Sequence, residues 1–167
     1  MSKKYYYLVA SLPYLRFEGA PPIMGEEFLS ECGKWLDPEN LGKLASIDIN
    51  DFAIRRGDDE VIREWKSFDL TLREELAKIR QTWREGGRER IPIFFKDVFE
   101  ERTPLLMEKR IQKKRWDFLE EKEFGYHFDA NVLSLYFLKL QILERLAAFE
   151  KEKGKGVFEG LCEVTYE

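Results

Sequence analysis

The chain has 167 residues, of which 44% are hydrophobic and 36% are charged, and its formal net charge at pH 7 is −4. The length suits one domain, and 13 Phe, 7 Tyr and 4 Trp residues are enough to build a hydrophobic core. A nearly balanced charge without basic excess argues against a nucleic-acid-binding protein and is typical of helices with charged outer faces. We therefore expect a single helical domain over 1–167 and no nucleic-acid partner.

Cysteine and histidine usage argues against a zinc site. Cys32 and Cys162 lie far apart without CxxC spacing, and His127 is the single histidine. Two free thiols in a reducing compartment are the expectation. The N-terminal stretch MSKKYYYLVASLPYL has two lysines and a short apolar run, but Ser11 and Pro13 interrupt that run and no clean cleavage pattern follows. We therefore expect a cytoplasmic protein.

The first segments of the chain give weak structural signals. Residues 5–12, YYYLVASL, are aromatic and β-prone, and this stretch is too short for periodicity to distinguish a strand from the first turns of a helix. A minor β element at the termini therefore remains open, and we expect the three tyrosines to pack against the core. Residues 16–25 contain two Gly and two Pro and predict a loop. A helix follows over 26–36, and Asp37-Pro38 is typical of the start of the next one.

The clearest helical pattern extends over about 59–85. Its large apolar residues follow one another at intervals of four, three, four, four, three and four: Val61, Trp65, Phe68, Leu72, Leu76, Ile79 and Trp83. This spacing keeps them on one face of a long helix, which Gly86-Gly87 ends. We expect both tryptophans of this stripe to be part of the core.

A second helical region completes the chain. Residues 91–95, IPIFF, predict an extended connector, and Thr103-Pro104 predicts a helix that continues to about 124. Asp129 is the expected N-cap of a helix over about 130–153 that is apolar around most of its circumference and so must be surrounded by other elements. Its uncharged run is too short to span a bilayer. The predicted fold is mainly α, an irregular bundle around this central helix, with 153–167 as a loosely attached tail.

No pattern in the chain predicts catalysis. His127 lies in a loop without a nucleophile motif nearby, and the acidic residues follow helical patterns typical of solvated faces. The spacings of an EF-hand and of a phosphate-binding loop are both missing from the sequence. We therefore expect a protein that is not an enzyme, with no catalytic residue, no cofactor and no metal.

Basic residues crowd the middle of the helix that begins near 104, and acidic residues follow them. This order opposes the one that the helix dipole favours. One interpretation is a face of local salt bridges. The other is a docking surface for an acidic protein partner, in which Lys109, Arg110, Lys113 and Lys114 supply charge and Trp116 is an aromatic anchor.

The opening KKYYYLVASLPYLRFEGAPP, followed by GEEFLSECGKWL, resembles the start of a bacterial domain family of unknown function whose members are generally encoded beside V-type ATPase components. Residues 131–149, NVLSLYFLKLQILERLAAF, are similar to the C-terminal helix of the V-type ATPase C-subunit, the d-subunit of eukaryotes. The matching residues are Leu135, Tyr136, Leu138, Lys139, Glu144 and Arg145. In that family the role is structural, as a funnel-shaped helical socket that joins the rotating central stalk to the membrane ring of proteolipids.

The resemblance implies a non-catalytic helical linker whose partners are the central stalk and the proteolipid ring. It also implies a location in the cytoplasm or at the inner face of the membrane, through the ATPase complex and without a membrane span. Because this chain is shorter than the C-subunit family, three alternatives remain open. They are a free-standing adaptor or assembly factor for an ATPase component, a helical domain without an ATPase role, and an enzyme of unrecognised type.

Overall fold

A computed structural model describes residues 5–87, 91–149 and 154. This described part contains seven α-helices, one 3₁₀ turn and no strand, so the predicted mainly α bundle is confirmed. The helices are α1 (Tyr6–Ser11), α2 (Gly25–Cys32), α3 (Pro38–Ala45), α4 (Glu60–Arg84), α5 (Lys96–Glu100), α6 (Pro104–Glu123) and α7 (Ala130–Ala147), and the 3₁₀ turn is Ile93–Phe95.

Three helices begin at the N-caps that the sequence predicts. The Asp37 carboxylate accepts a hydrogen bond from the Asn40 amide at 3.0 Å, and the Thr103 hydroxyl accepts one from the Leu106 amide at 3.3 Å. Asp129 accepts from two backbone amides in the first turn of α7. Each cap satisfies amides that have no partner within the helix, which fixes where α3, α6 and α7 start.

Helix α7 lies at the centre of the bundle and packs against α2, α3, α4 and α6. Its buried residues lie all around its circumference: Leu133, Ser134, Leu135, Tyr136, Phe137, Leu138, Lys139, Leu140, Ile142 and Leu143. The prediction of a surrounded central helix is therefore confirmed. The helix ends at Ala147, before the predicted end near 153, because a tighter turn follows in which the Phe149 amide bonds the Leu146 carbonyl. The predicted tail lies outside the described residues, apart from Gly154.

Helix α4 contributes to two separate cores. Its first half packs with α7, while Leu72, Leu76 and Ile79 in its second half form a smaller core with Phe95, Val98 and Ile111. The predicted boundaries of α4 agree with the structure to within one residue at each end. Of its two tryptophans, Trp65 is buried, but Trp83 is 44% exposed and reaches the smaller core through its edge-to-face contact with Phe99.

The connector at 91–95 is not extended, contrary to the prediction. Ile93–Phe95 forms a 3₁₀ turn in which the Phe95 amide donates to the Pro92 carbonyl at 2.9 Å, and α5 follows at once. This compact path buries Phe95 and Val98 in the smaller core. Burial of these two large side chains favours the turn over an extended connector.

The N-terminal segment forms α1, so of the strand and the helix that the sequence left open the helix is observed, and the C-terminal end of the chain lies outside the described residues. The Tyr5 amide donates to the Phe128 carbonyl at 2.6 Å and Leu8 packs into the core. Tyr5 is buried, but Tyr6 and Tyr7 are 54% and 79% exposed, contrary to expectation. Consecutive residues of a helix point in different directions, so three in a row cannot all face the core.

A buried lysine ties the loop before α4 to that helix. The Lys66 ammonium lies 2.9 Å from an Asp58 carboxylate oxygen, 3.2 Å from one of Asp51 and 2.9 Å from the Ala53 carbonyl oxygen. Burial by itself raises the pKa of the Asp58 carboxyl, but the Arg55 amide and the Lys66 charge outweigh burial and lower it. The ion pair is therefore formed at neutral pH.

Truncation of a large buried side chain in the central helix α7 should destabilise the fold strongly. Leu140 and Leu143 are 0% and 1% exposed, so Leu140→Ala or Leu143→Ala is expected to lower the free energy of unfolding by about 2–5 kcal/mol. Urea denaturation followed by circular dichroism measures the change. Leu105→Ala, at a position that is 41% exposed, is the matched control and should change the free energy by less than about 1 kcal/mol.

The Lys66 cluster should make stability depend on acid pH. Because the folded pKa of Asp58 lies below its ordinary value of 3.8, its contribution is present above that value and lost as the pH falls through the folded pKa. Asp58→Asn should lose about 1–3 kcal/mol at pH 7 and should show a smaller decline of unfolding free energy below about pH 4. Denaturant titrations of both proteins from neutral pH into the acid range test this, and identical pH slopes would contradict it.

Candidate functional site

Three of the five predicted partner-binding residues lie together on α6. Lys109, Arg110 and Lys113 line an open groove of about 600 Å³, which we call the basic groove. Its remaining lining residues are Phe17, Glu18, Glu101 and Leu106. Positions three and four apart share one face of a helix, which explains why these basic residues and Leu106 converge.

Phe17 forms an apolar wall of the basic groove. It belongs to the loop between α1 and α2, and its ring centre lies 5.6 Å from that of Trp116 in the core. The Lys113 ammonium lies 5.5 Å from the centre of the same Phe17 ring. Leu106 adds a second apolar side chain, which is 41% exposed. The groove therefore combines apolar surface with positive charge.

Most charges of the basic cluster are already paired. Arg110 donates from Nε to Glu101 at 2.8 Å, and Lys113 pairs with Asp117 one turn further along α6. Lys109 is exposed and makes no ion pair with any residue that the structure describes. The salt-bridge interpretation thus accounts for Arg110 and Lys113 but not for Lys109.

Lys114 does not line the basic groove. Its side chain is only 12% exposed, and its ammonium lies 2.8 Å from the Asp97 carboxylate and 4.5 Å from the centre of the Phe94 ring. These contacts join α6 to the 3₁₀ turn and α5. Lys114 therefore supports the fold of the smaller core, and we remove it from the set of partner-binding residues.

The expectation that Trp116 is a surface anchor is wrong, because the side chain is 1% exposed. Its ring packs on Phe17, and the Lys139 ammonium lies 5.1 Å from the ring centre. Trp116 shares the buried side of α6 with Leu119. The sequence did not reveal this burial because charged residues surround Trp116 along the chain.

A second surface escaped the sequence reasoning. Tyr7 and Trp35 are 79% and 53% exposed and stack with ring centres 6.3 Å apart, while Tyr6 lies 4.8 Å from Phe128. We call these four residues the aromatic surface. Exposed aromatic residues are enriched in protein–protein interfaces. The three consecutive tyrosines were the available signal, and recognising α1 as a helix would have predicted that some of them are exposed.

The α7 residues that resemble the C-subunit family make contacts within this chain. Leu135 and Leu138 are fully buried, and the Tyr136 hydroxyl donates to the Pro13 carbonyl at 2.9 Å. The charged ones pair as follows: Lys139 with Glu123 at 2.7 Å, Glu144 with the Gly25 amide at 2.6 Å, and Arg145 with Glu108 at 2.9 Å. In this protein these residues hold the bundle together.

The described residues offer little for nucleophilic or metal chemistry. Cys32 is a free thiol with 0% exposure, and burial, assisted by the Glu31 charge, raises its pKa to about 12, which keeps it protonated and unreactive. Cys162 lies outside the described residues. Within the described ranges, no group of three or more His, Cys, Asp or Glu residues is placed to hold a metal ion. None of the helices described here is both long enough and apolar enough to cross a membrane.

The fold of the described residues defines a mainly α protein built around one buried helix. The chain belongs to the family described as "Protein of unknown function (DUF2764)", whose model matches residues 58–165, more than half of the sequence. The matched range includes α4 to α7 and the basic residues of the groove. Comparison with curated proteins gave no match, and comparison with solved structures gave none either.

Two of the lysines of α6, Lys114 and Lys109, should respond differently to charge reversal. Lys114→Glu places two acidic groups side by side and removes a cation from the Phe94 ring, so the unfolding free energy should fall by about 1–3 kcal/mol. Lys109→Glu should change it by less than about 0.5 kcal/mol, since an exposed position without an ion pair contributes little. Urea denaturation of both variants is the measurement, and equal losses would show that both lysines are structural.

Proposed function

We propose that this protein is a non-catalytic component associated with a V-type ATPase and that its basic groove binds an acidic segment of another component of that complex. The observation that carries the proposal is the exposed Lys109 beside Leu106 and Phe17, a cation without an ion pair among the described residues at the edge of an apolar surface. Interfaces commonly surround an apolar contact with charges that select the partner.

Charge complementarity specifies the kind of segment. The groove carries three cations, of which Arg110 and Lys113 are paired with Glu101 and Asp117, so Lys109 is the cation that can meet an acidic segment. A chain with a net charge of −4 would otherwise repel an acidic partner. An amphipathic acidic helix, with its apolar face on Leu106 and Phe17 and its carboxylates toward Lys109, matches this lining.

The assignment to a V-type ATPase is supported by the resemblance of residues 3–36 to a family encoded beside V-type ATPase components and by the similarity of residues 131–149 to the C-subunit family. In this role the protein is a linker between the central stalk and the proteolipid ring. It works in the cytoplasm, at the inner face of the membrane, through the ATPase complex. A linker needs two binding surfaces, and the basic groove and the aromatic surface are the two candidates.

A free-standing adaptor or assembly factor is the second candidate function. The contacts of Lys139 and Glu144 within the bundle favour it, because they leave these resembling residues of α7 unavailable to a neighbouring protein. Such a factor would use the basic groove alone and bind only transiently.

Affinity purification from an extract of the native cells tests the proposal. The tagged full chain should recover V-type ATPase components, identified by mass spectrometry, and Lys109→Glu should reduce that recovery about tenfold, as expected for reversal of one interfacial charge. Lys96→Glu is the matched control, since Lys96 is also exposed, lies outside the groove and makes only a 3.7 Å surface pair with Glu100. It should leave recovery unchanged.

A salt wash then separates the two candidate functions. A stoichiometric linker stays with the complex at about 0.5 M salt, where exposed charge pairs are largely screened, whereas a transient factor leaves. Recovery that includes no V-type ATPase component would contradict the association. Equal recovery with the wild type and Lys109→Glu would contradict the role of the basic groove.

A further inference from the structure

Four arginines from three helices line one small pocket. Arg73 and Arg80 come from α4, Arg115 from α6 and Arg145 from α7, and the pocket they share has a volume of about 220 Å³. We call it the arginine pocket. Its other lining residues are Asn50, Leu76, Ala77, Glu108 and Ile111. None of these arginines lines the basic groove.

Three of the four arginines are held in place by a hydrogen bond from their Nε atom to a carboxylate. Asp69, which is 1% exposed, accepts from Nε of Arg73 at 2.6 Å and from Nε of Arg115 at 2.7 Å. Glu108 accepts from Nε of Arg145 at 2.9 Å. These bonds from Nε fix the directions of the three guanidinium groups, and all three side chains line the pocket. The carboxylates therefore orient a set of donors before any ligand binds.

The arginine pocket has an excess of positive charge. Four guanidinium groups stand against the two carboxylates Asp69 and Glu108, which leaves two positive charges without a counterpart. Burial raises the pKa of Glu108, but hydrogen bonds from Gln112 and Arg145 outweigh burial and lower it, so this carboxylate is ionised at neutral pH. Arg80 is exposed and makes no ion pair with a described residue.

We propose that the arginine pocket binds a phosphate group, either free or carried by a small metabolite. A phosphate carries about −1.5 to −2 charges at neutral pH, which balances the two excess positive charges. Guanidinium groups bind such oxyanions through paired hydrogen bonds from a planar fork. This binding does not depend on the proposed ATPase association.

The dimensions of the arginine pocket favour a compact anion over an acidic peptide. Its volume of about 220 Å³ is below the roughly 300–1,000 Å³ typical of sites for larger organic ligands. An acidic peptide would need an extended groove to place successive carboxylates. Here, arginines from α4, α6 and α7 line one small pocket instead.

Isothermal titration calorimetry of the full chain with inorganic phosphate tests the proposal, with sodium chloride at equal ionic strength as the blank. Saturable binding is expected, together with a rise in melting temperature that depends on phosphate concentration. Arg80→Gln should weaken the binding roughly tenfold, which corresponds to the loss of one charge-assisted hydrogen bond. This variant breaks no ion pair among the described residues, so its fold should be retained.

Arg84→Gln is the matched control, because Arg84 lies one turn further along α4, is also exposed and does not line the pocket. It removes the same charge and should leave phosphate binding unchanged. A parallel titration with glycerol 3-phosphate distinguishes free phosphate from a phosphorylated metabolite as the ligand. If glycerol 3-phosphate binds more tightly than inorganic phosphate, the ligand is a phosphorylated metabolite. Three results would overturn the proposal: no saturable binding of either probe, equal weakening by the two substitutions, or tighter binding of a glutamate-rich peptide.

Discussion

The structure depends on the burial of α7, in which every residue from Leu133 to Leu140 is buried. A helix that is surrounded by protein has no solvent to satisfy its polar side chains, so each of them must find a partner in a neighbouring segment. Gln141 accepts from the Ile49 amide at 2.8 Å and donates to the Ile47 carbonyl at 2.9 Å, while Lys139 pairs with Glu123 and Glu144 receives the Gly25 amide. The polar groups of the central helix therefore fix the positions of the loop after α3, the end of α6 and the start of α2.

Because α7 is buried, the exposed charged and aromatic side chains lie on the outer elements. On α6 the charged residues divide into two groups: Lys114 and Arg115 hold neighbouring helices, and Lys109 remains exposed in the basic groove. On α1, Leu8 faces the core while Tyr7 is exposed in the aromatic surface. The same helix thus supplies both internal support and external surface, and charge alone does not distinguish the two. Burial and pairing do.

Local rules predicted the long elements well and failed where tertiary contacts decide. The stripe of α4, the caps at Asp37, Thr103 and Asp129, and the buried α7 follow from helical periodicity and hydrogen bonding within a few residues. The 3₁₀ turn at Ile93–Phe95 and the burial of Trp116 depend on partners distant in sequence. The arginine pocket draws on α4, α6 and α7, so no single stretch of the chain carries its signal.

The participation of α4 in both hydrophobic cores has a consequence for how the protein unfolds. One continuous helix of 25 residues enters the larger core with its first half and the smaller core with its second. Neither core can unfold fully without fraying α4. Unfolding of one core therefore exposes apolar residues of α4 that belong to the other core. Because α4 is shared, the two cores are expected to unfold cooperatively.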